Sequence, residues 1–163
     1  MTSLMHAMKP AALCLAMLVV VAPLASSQVN EMSPRAGTSS KKVHRVVVQV
    51  DSGERSKMNL ALNNATNIEQ FYRARGEKVE IEVVAFGDGL HMLRDDTSPV
   101  KDRLKAITAE MPTISFSACG NTLKKMLKSE NKNVPLVTQA KLVESGAVRV
   151  VELQEQGWTY VKP

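Results

Sequence analysis

The feature that most constrains the fold is an almost unbroken run of β-branched residues at Val43–Val50. The run reads VHRVVVQV, a composition typical of a strand that is buried on both faces of a parallel sheet. Asp51-Ser52-Gly53 follows and ends the predicted strand. A sheet covered on both faces is therefore expected around this segment.

The rest of the chain alternates between helical and strand patterns. Helical spacing of apolar residues from Met58 to Phe71 predicts a helix with Ser56 as its N-cap and Gly76 as its stop. Further helices are predicted at Pro99–Met111, Leu123–Lys128 and Pro135–Ser145, and further strands at Lys78–Phe86, Thr113–Ala118, Ala147–Leu153 and Gly157–Pro163. Polar and apolar residues alternate in the first half of the Lys78–Phe86 strand, which predicts a position toward a sheet edge.

This order of elements predicts right-handed βαβ units. The expected fold class is α/β: a three-layer, flavodoxin-like, mostly parallel sheet of about five strands with helices on both faces. The strands and helices occupy residues 43–163, which we expect to form one domain.

The first 27 residues have the three-part pattern of a secretory signal peptide. A short segment bearing Lys9 precedes the uncharged stretch Ala11–Ala25, and Ala25-Ser26-Ser27 supplies small residues at a cleavage site. The uncharged stretch is shorter than the roughly 20 residues that span a membrane, so no stable membrane anchor is expected after cleavage. We therefore expect a periplasmic or secreted protein, with a flexible polar lead-in at residues 28–42.

Composition excludes several classes of function. Charged residues make up 23% of the chain and the formal net charge is +5, with acidic residues interspersed, so a nucleic-acid partner is not expected. No group of His and Cys residues has the spacing of a zinc site. Neither Asp51-Ser52-Gly53 nor Gly87-Asp88-Gly89 matches a phosphate-binding motif. We expect no metal site and no organic cofactor.

The most informative candidate for chemistry is Cys119. Loss of the signal peptide would remove Cys14 and leave Cys119 as the only thiol. Cys119 falls between a predicted strand and the next helix, where unpaired N–H groups and the helix dipole lower the pKa of a thiol. The alternative is that Cys119 is a small buried apolar residue without chemistry.

Other candidate binding residues lie in the loops at the carboxyl ends of the strands, where open parallel sheets bind ligands. Asn121 or Thr122 is suited to cap the helix or donate to a bound anion. His91 is either an acid or base near the thiol or a solvated residue at a helix start, and Asp51 is either a site carboxylate or a turn former. The full set of binding candidates is Gly120, Asn121, Thr122, Asp51, Gly87 and His91.

Four segments together resemble the DsrE/DsrF-like family, in particular its small single-domain branch. They are Val46–Asp51, Val83–Gly87, the Cys-Gly-Asn-Thr-Leu loop within Phe116–Leu123, and the tail Gly157–Pro163. The resemblance covers about residues 43–163. It implies a parallel α/β sheet, homo-oligomers that are usually trimers or hexamers, and transfer of sulfur through a persulfide on a Cys that corresponds to Cys119.

Two functions remain open from the sequence. In the first, the Cys119 thiolate accepts sulfane sulfur as a sulfurtransferase-like carrier and passes it to a thiol-bearing acceptor protein. In the second, a non-catalytic oligomeric module binds a small ligand or a protein at the carboxyl-end cleft, and Cys119 has a structural or redox-sensing role. The sequence does not decide whether the protein is an enzyme.

Overall fold

A computed structural model describes residues 42–163, which form a five-stranded sheet with four α-helices and one 3₁₀ helix. The elements in chain order are β1 (Val43–Val50), α1 (Arg55–Ala74), β2 (Lys78–Ala85), the 3₁₀ helix (Gly87–Leu93), α2 (Lys101–Glu110), β3 (Ile114–Cys119), α3 (Gly120–Glu130), β4 (Ala140–Val143), α4 (Gly146–Glu155) and β5 (Thr159–Val161). None of these helices is long and apolar enough to cross a membrane. The predicted signal peptide and the lead-in up to residue 41 lie outside the described residues.

The sheet is parallel throughout, with the strand order β4-β3-β2-β1-β5. From β1 the chain therefore steps in one direction as far as β4 and then returns through α4 to place β5 on the other side of β1. Side chains from α1, α2 and α3 pack on one face of the sheet, and side chains from α4 pack on the other. The predicted three-layer α/β fold is confirmed.

The two faces of the sheet bury unequal amounts of apolar surface. In β1, Val46 and Val48 point into the larger core, whereas Val47 points to the opposite face. The smaller core consists of Val47, Val84, Val150 and Leu153, with Phe86 and Trp158 packed against it. One short helix covers this second face, and the side chains of Val148 and Val151 on that helix remain 53% and 52% exposed.

Two predicted segments near the carboxyl terminus were assigned the wrong type. Strand β4 lies within the predicted helix Pro135–Ser145, and helix α4 replaces the predicted strand Ala147–Leu153. The buried residues of α4 are Gly146, Val150 and Leu153. Because these positions are four and three residues apart, the apolar face follows the helical period even though valines dominate the composition.

Two smaller predictions were also wrong. Strand β2 lies inside the sheet, paired with β1 and β3, because its polar residue Glu82 has partners for burial. Arg149 donates two hydrogen bonds to the Glu82 carboxylate at 2.8 and 2.7 Å, and Ser117 donates a third at 2.7 Å. The N-cap of α1 is Glu54, and the hydroxyl of Ser56 donates to the Glu54 carboxylate at 3.3 Å.

A buried arginine attaches the end of α3 to the segment after the 3₁₀ helix. Arg94 is 1% exposed, and its guanidinium donates to both carboxylate oxygens of Asp96 (2.9 and 2.7 Å) and of Glu130 (2.5 and 3.0 Å). The hydrogen bond from Arg94 is the main reason that the pKa of Asp96 falls to about 2. Both ends of α3 are thus held against neighbouring elements, since the helix begins directly at the end of β3.

We expect the ion pair of Arg94 and Asp96 to make the free energy of unfolding depend on pH in the acid range. The pKa of Asp96 is about 2 in the folded protein against an ordinary value of 3.8. As pH falls, Asp96 is therefore protonated in the unfolded chain before it is protonated in the folded protein. The contribution of Asp96 to the unfolding free energy is complete above pH ~5 and is lost as pH falls through ~4 to ~2. Urea unfolding at several pH values across this window measures the slope of the unfolding free energy.

Two single substitutions separate this effect from general acid sensitivity. Asp96→Asn should reduce the slope of unfolding free energy against pH, because the group that titrates has been removed. Asp95→Asn changes a neighbouring exposed carboxylate that pairs with Lys101 on the surface and should leave most of the slope in place. Equal slopes in the two variants would contradict the assignment to Asp96.

Candidate functional site

The Cys119 thiol lies where β3 ends and α3 begins. Cys119 has an extended backbone conformation and is the N-cap of α3, with its sulfur accepting the backbone N–H of Thr122 at 3.4 Å. A helix start has N–H groups without partners in the helix, and a side chain at the N-cap accepts from them. The residue is 4% exposed and is a free cysteine.

A second helix starts beside the same sulfur. Strands β3 and β4 are in register at Cys119 and Val143, so α4 begins close to the start of α3. Gly146, the first residue of α4, lies against the side chain of Cys119, and its backbone N–H is one of the groups that lower the pKa of the thiol. The N–H of Asn121 also donates to the carbonyl oxygen of Glu144 at 3.1 Å, which connects the two helix starts.

Sequence reasoning missed this second helix start. The residues after Gly146 were predicted as a strand, so Ser145 and Gly146 were read as the end of a helix. The available signal was Ser145, a favoured N-cap residue. In the structure its hydroxyl accepts the N–H of Val148 at 3.5 Å and caps α4.

The groups around the sulfur favour the thiolate. Burial by itself raises the pKa of Cys119, but the hydroxyl of Thr122 and the backbone N–H groups of Gly146, Thr122 and Asn121 lower it, and the net pKa lies below its ordinary value. Within residues 42–163 no group of three or more His, Cys, Asp and Glu residues is placed to hold a metal ion. The hydrogen-bond donors at the two helix starts thus outweigh the effect of burial on the pKa of Cys119.

Two glycines allow the close approach of the helix starts to the strand ends. A Cβ atom on Gly146 would lie 2.8 Å from the Phe86 side chain and 3.1 Å from the Cβ of Cys119. A Cβ atom on Gly120 would lie 3.0 Å from the carbonyl oxygen of Val143. Glycine has no Cβ and admits such close approach. The donors are therefore held against the sulfur by tight packing.

Three of the predicted residues line or adjoin one cavity next to the thiol. The backbone N–H of Gly87 donates to the hydroxyl oxygen of Thr122 at 3.0 Å, and the imidazole of His91 lies 3.3 Å from the hydroxyl of Thr97. Gly87, His91 and Thr122 line a cavity of about 350 Å³, which we call the His91 cavity. The loop that begins at Gly87 and the start of α3 therefore line one cavity at the carboxyl edge of the sheet.

A second cavity, of about 550 Å³, lies between β4 and α4, and we call it the α4 cavity. Its lining residues are Asn121, Val143, Glu144, Ser145, Val148, Arg149 and Glu152. Cys119 lines neither cavity, whereas Thr122 lines the first and Asn121 lines the second. The sulfur thus lies behind the first turn of α3, with a flanking residue of that turn in each cavity.

Asp51 is engaged away from the thiol. Its carboxylate accepts hydrogen bonds from Lys162 at 3.0 Å and from Gln49 at 2.9 Å. The hydrogen bond from Lys162 is the main reason that the pKa of Asp51 is lowered. Asp51 therefore attaches the carboxyl-terminal tail to the end of β1 and lines neither the His91 cavity nor the α4 cavity.

We expect Gly146→Ala to reduce the reactivity of the thiol. The added methyl group must displace Phe86 or the start of α4, so the N–H of residue 146 moves away from the sulfur and the pKa of Cys119 rises. Overpacking of this kind costs about 1–3 kcal/mol of unfolding free energy. The rate of alkylation by iodoacetamide at neutral pH and urea unfolding measure the two effects.

Gly53→Ala is the matched control, because it adds one methyl group in another loop at the same edge. There the nearest atom to the added Cβ is the Cβ of Asp88 at 3.3 Å, and no donor to Cys119 is displaced. Its alkylation rate should equal that of the unchanged protein. If Gly146→Ala reacted as fast as Gly53→Ala, the N–H of residue 146 would not control the thiol.

Comparisons with known proteins agree with this architecture. The solved structure of MTH1491, a protein of unknown function from Methanobacterium thermoautotrophicum, is similar with a TM-score of 0.61 and 31% sequence identity, over 74% of this chain and 99% of that chain. No curated protein matches the chain. The model of the DsrE/DsrF-like family matches residues 44–163, which include the Cys119 loop. The chain therefore belongs to the DsrE/DsrF-like family.

Proposed function

We propose that this protein is a sulfur carrier in which Cys119 holds sulfane sulfur as a persulfide. The observation that carries the proposal is the convergence of two helix starts and the Thr122 hydroxyl on the Cys119 sulfur, which lowers the pKa of the thiol. The thiolate is the reactive form of cysteine. Membership of the DsrE/DsrF-like family supports a function of the sulfur-relay type.

Loading requires a donor that contains a sulfane sulfur, such as a hydropersulfide or thiosulfate. The Cys119 thiolate attacks that sulfur, a new S–S bond forms at Sγ, and the S–S bond of the donor breaks. The electron pair of the broken bond leaves with the donor, as a thiolate or as sulfite. The exchange consumes no external oxidant or reductant, and neither a metal ion nor an organic cofactor takes part.

Unloading reverses the role of Cys119 from nucleophile to leaving group. The thiolate of an acceptor protein attacks the outer sulfur of the persulfide, the S–S bond breaks, and its electron pair returns to Sγ of Cys119. A thiol of lower pKa leaves faster, so the donors that stabilise the Cys119 thiolate also favour release. The His91 cavity and the α4 cavity, about 350 and 550 Å³, are lined by Thr122 and Asn121 respectively, and we propose them as the routes by which donor and acceptor approach the site.

One observation favours the second function, a non-catalytic binding module. Cys119 is 4% exposed and lines neither adjacent cavity, as expected for a residue that is packed in the interior and has no chemical role. The two functions differ in whether small sulfur donors reach the thiol in the folded protein. Reactivity in the native state therefore decides between them.

We expect the folded protein to take up one sulfur atom at Cys119. After incubation with polysulfide or thiosulfate and removal of excess reagent, intact-mass spectrometry should show a gain of about 32 Da that dithiothreitol reverses. Cys119→Ser should lose this adduct and keep the circular dichroism spectrum of the folded chain. Any adduct that persists in Cys119→Ser belongs to Cys14, which precursor protein retains.

The opposite outcome would support the binding module. In that case the native protein shows no adduct and slow alkylation, whereas the urea-unfolded chain reacts rapidly. Loss of stability on Cys119→Ser would accompany that result, because a polar hydroxyl replaces a buried apolar thiol.

We also propose that the domain forms a homo-oligomer, a trimer or a hexamer as the family resemblance implies. Its support in the structure is the incomplete cover of one sheet face, where α4 leaves Val148 and Val151 more than half exposed. Trp158 packs against the smaller core of its own subunit. Tyr160 is 39% exposed, and its hydroxyl donates to Gln49 at 2.8 Å.

Light scattering at micromolar concentration tests this proposal. We expect a mass that is a multiple of the chain mass, and a lower mass for the double variant Val148→Lys, Val151→Lys because the substitutions place charge on the exposed apolar face. Leu60→Lys, on the exposed side of α1 (41% exposed), is the control and should leave the mass unchanged. A monomeric mass for the unchanged protein would contradict self-association.

A further inference from the structure

Hydrogen bonds hold both the hydroxyl and the backbone N–H of Thr122 beside the Cys119 sulfur. The hydroxyl oxygen accepts the backbone N–H of Gly87 at 3.0 Å. The same hydroxyl is among the groups that lower the pKa of Cys119 by hydrogen bonding. Because the oxygen accepts from Gly87, the one proton of the hydroxyl remains available to the sulfur.

The surrounding backbone holds this arrangement in place. Gly87, two residues after the end of β2, has a φ of +53°, a conformation that glycine adopts without steric cost, and its N–H points to the Thr122 hydroxyl in α3. Thr122 is also fixed through its own backbone N–H, which donates to Cys119 Sγ at 3.4 Å. One residue therefore supplies two donors to the sulfur, and a loop from the neighbouring strand orients the second of them.

We propose that Thr122 is a positioning residue for sulfur transfer, whose hydroxyl, oriented by the N–H of Gly87, stabilises Cys119 as the leaving thiolate during release of sulfur. The proposal rests on the proposed sulfur-carrier function. It extends that function by making the release of sulfur depend on the Thr122 hydroxyl and on its hydrogen bond from the N–H of Gly87.

If Thr122 has this role, loss of its hydroxyl should affect the two reactions of Cys119 differently at high pH: attack by the thiolate should not slow, whereas release of sulfur should. Without the hydroxyl the pKa of the thiol is higher, so less thiolate is present near neutral pH and reactions in which Cys119 attacks become slower there. Once the thiol is fully ionised, a more basic thiolate is the better nucleophile, and attack is no slower than in the unchanged protein. Release remains slower at every pH, because a more basic thiolate is the poorer leaving group.

Four variants isolate the hydroxyl. Thr122→Val removes it at nearly constant shape, and Thr122→Ser keeps it. Thr122→Ala removes it without added packing strain and serves if the valine variant fails to fold. Thr108→Val is the matched control, since the Thr108 hydroxyl donates to the carbonyl oxygen of Leu104 at 2.9 Å within α2.

Two measurements are made on each variant. Alkylation by iodoacetamide across pH 5 to 10 reports the ionisation and nucleophilicity of the thiol and does not require sulfur transfer. Release is measured by adding cyanide to polysulfide-loaded protein: cyanide attacks the outer sulfur, the S–S bond breaks with its electron pair passing to Sγ, and thiocyanate forms. The rate of thiocyanate formation is the release rate.

For Thr122→Val and Thr122→Ala we expect the midpoint of the alkylation profile to rise by about one pH unit, since a hydrogen bond to a charged group has that magnitude. The alkylation rate should fall about tenfold near pH 6.5 and should not fall at pH 10, while thiocyanate formation slows at least severalfold. Thr122→Ser and Thr108→Val should match the unchanged protein in both assays.

Two results would overturn the role of Thr122. The first is an unchanged midpoint of the alkylation profile in Thr122→Val and Thr122→Ala. The second is alkylation that is slower by the same factor at all pH values, which indicates a merely structural role. Failure of the sulfur-carrier function has a different signature. The unchanged protein would then form no persulfide at all, while the alkylation midpoints of the variants would still show whether Thr122 stabilises the thiolate.

Discussion

The parallel register of β3 and β4 is the constraint on which the site depends. It pairs Cys119 with Val143, so the two helices that follow these strands begin side by side at the carboxyl edge. Each helix start has N–H groups that its own helix cannot satisfy. A buried N–H without an acceptor costs about 1–3 kcal/mol, and the sulfur of Cys119 accepts the N–H of Thr122 in α3 and lies against the start of α4. Folding and thiol chemistry are therefore coupled: the sulfur satisfies the helix starts, and the helix starts stabilise its anion.

The acidity of the thiol results from two opposing effects. Burial disfavours the charged form of Cys119, whereas the hydroxyl of Thr122 and the N–H groups at the two helix starts favour it and outweigh the effect of burial. In the proposed carrier, the same donors act in two steps: they raise the fraction of thiolate for loading and stabilise the leaving thiolate for unloading. A buried thiol without such donors would have a raised pKa and would be inert. Burial at 4% exposure is thus compatible with chemistry because of the particular groups that surround the sulfur.

The sequence predicted those parts of the site that depend on local pattern. The β-branched run of β1 and the strand-to-glycine transition at Cys119 and Gly120 placed the thiol at the carboxyl edge of a parallel sheet. The bond from Gly87 to Thr122 spans 35 residues, and it depends on strand register, which local pattern does not contain. Asp51 was predicted near the site because every strand end at one edge is a candidate. Its partner Lys162 comes from the far end of the chain and directs its carboxylate to the tail.

The polar residue that misled the prediction for β2 is also the one that secures α4. Glu82 is buried in an interior strand because Arg149 and Ser117 donate to it. Burial raises the pKa of Glu82, but these hydrogen bonds outweigh it and keep the carboxylate charged. Arg149 lies three residues after Gly146, in the first turn of the only helix on its face of the described sheet. With so small an apolar core beneath α4, this directional ion pair fixes where the helix begins, and therefore fixes the N–H of Gly146 against the Cys119 sulfur.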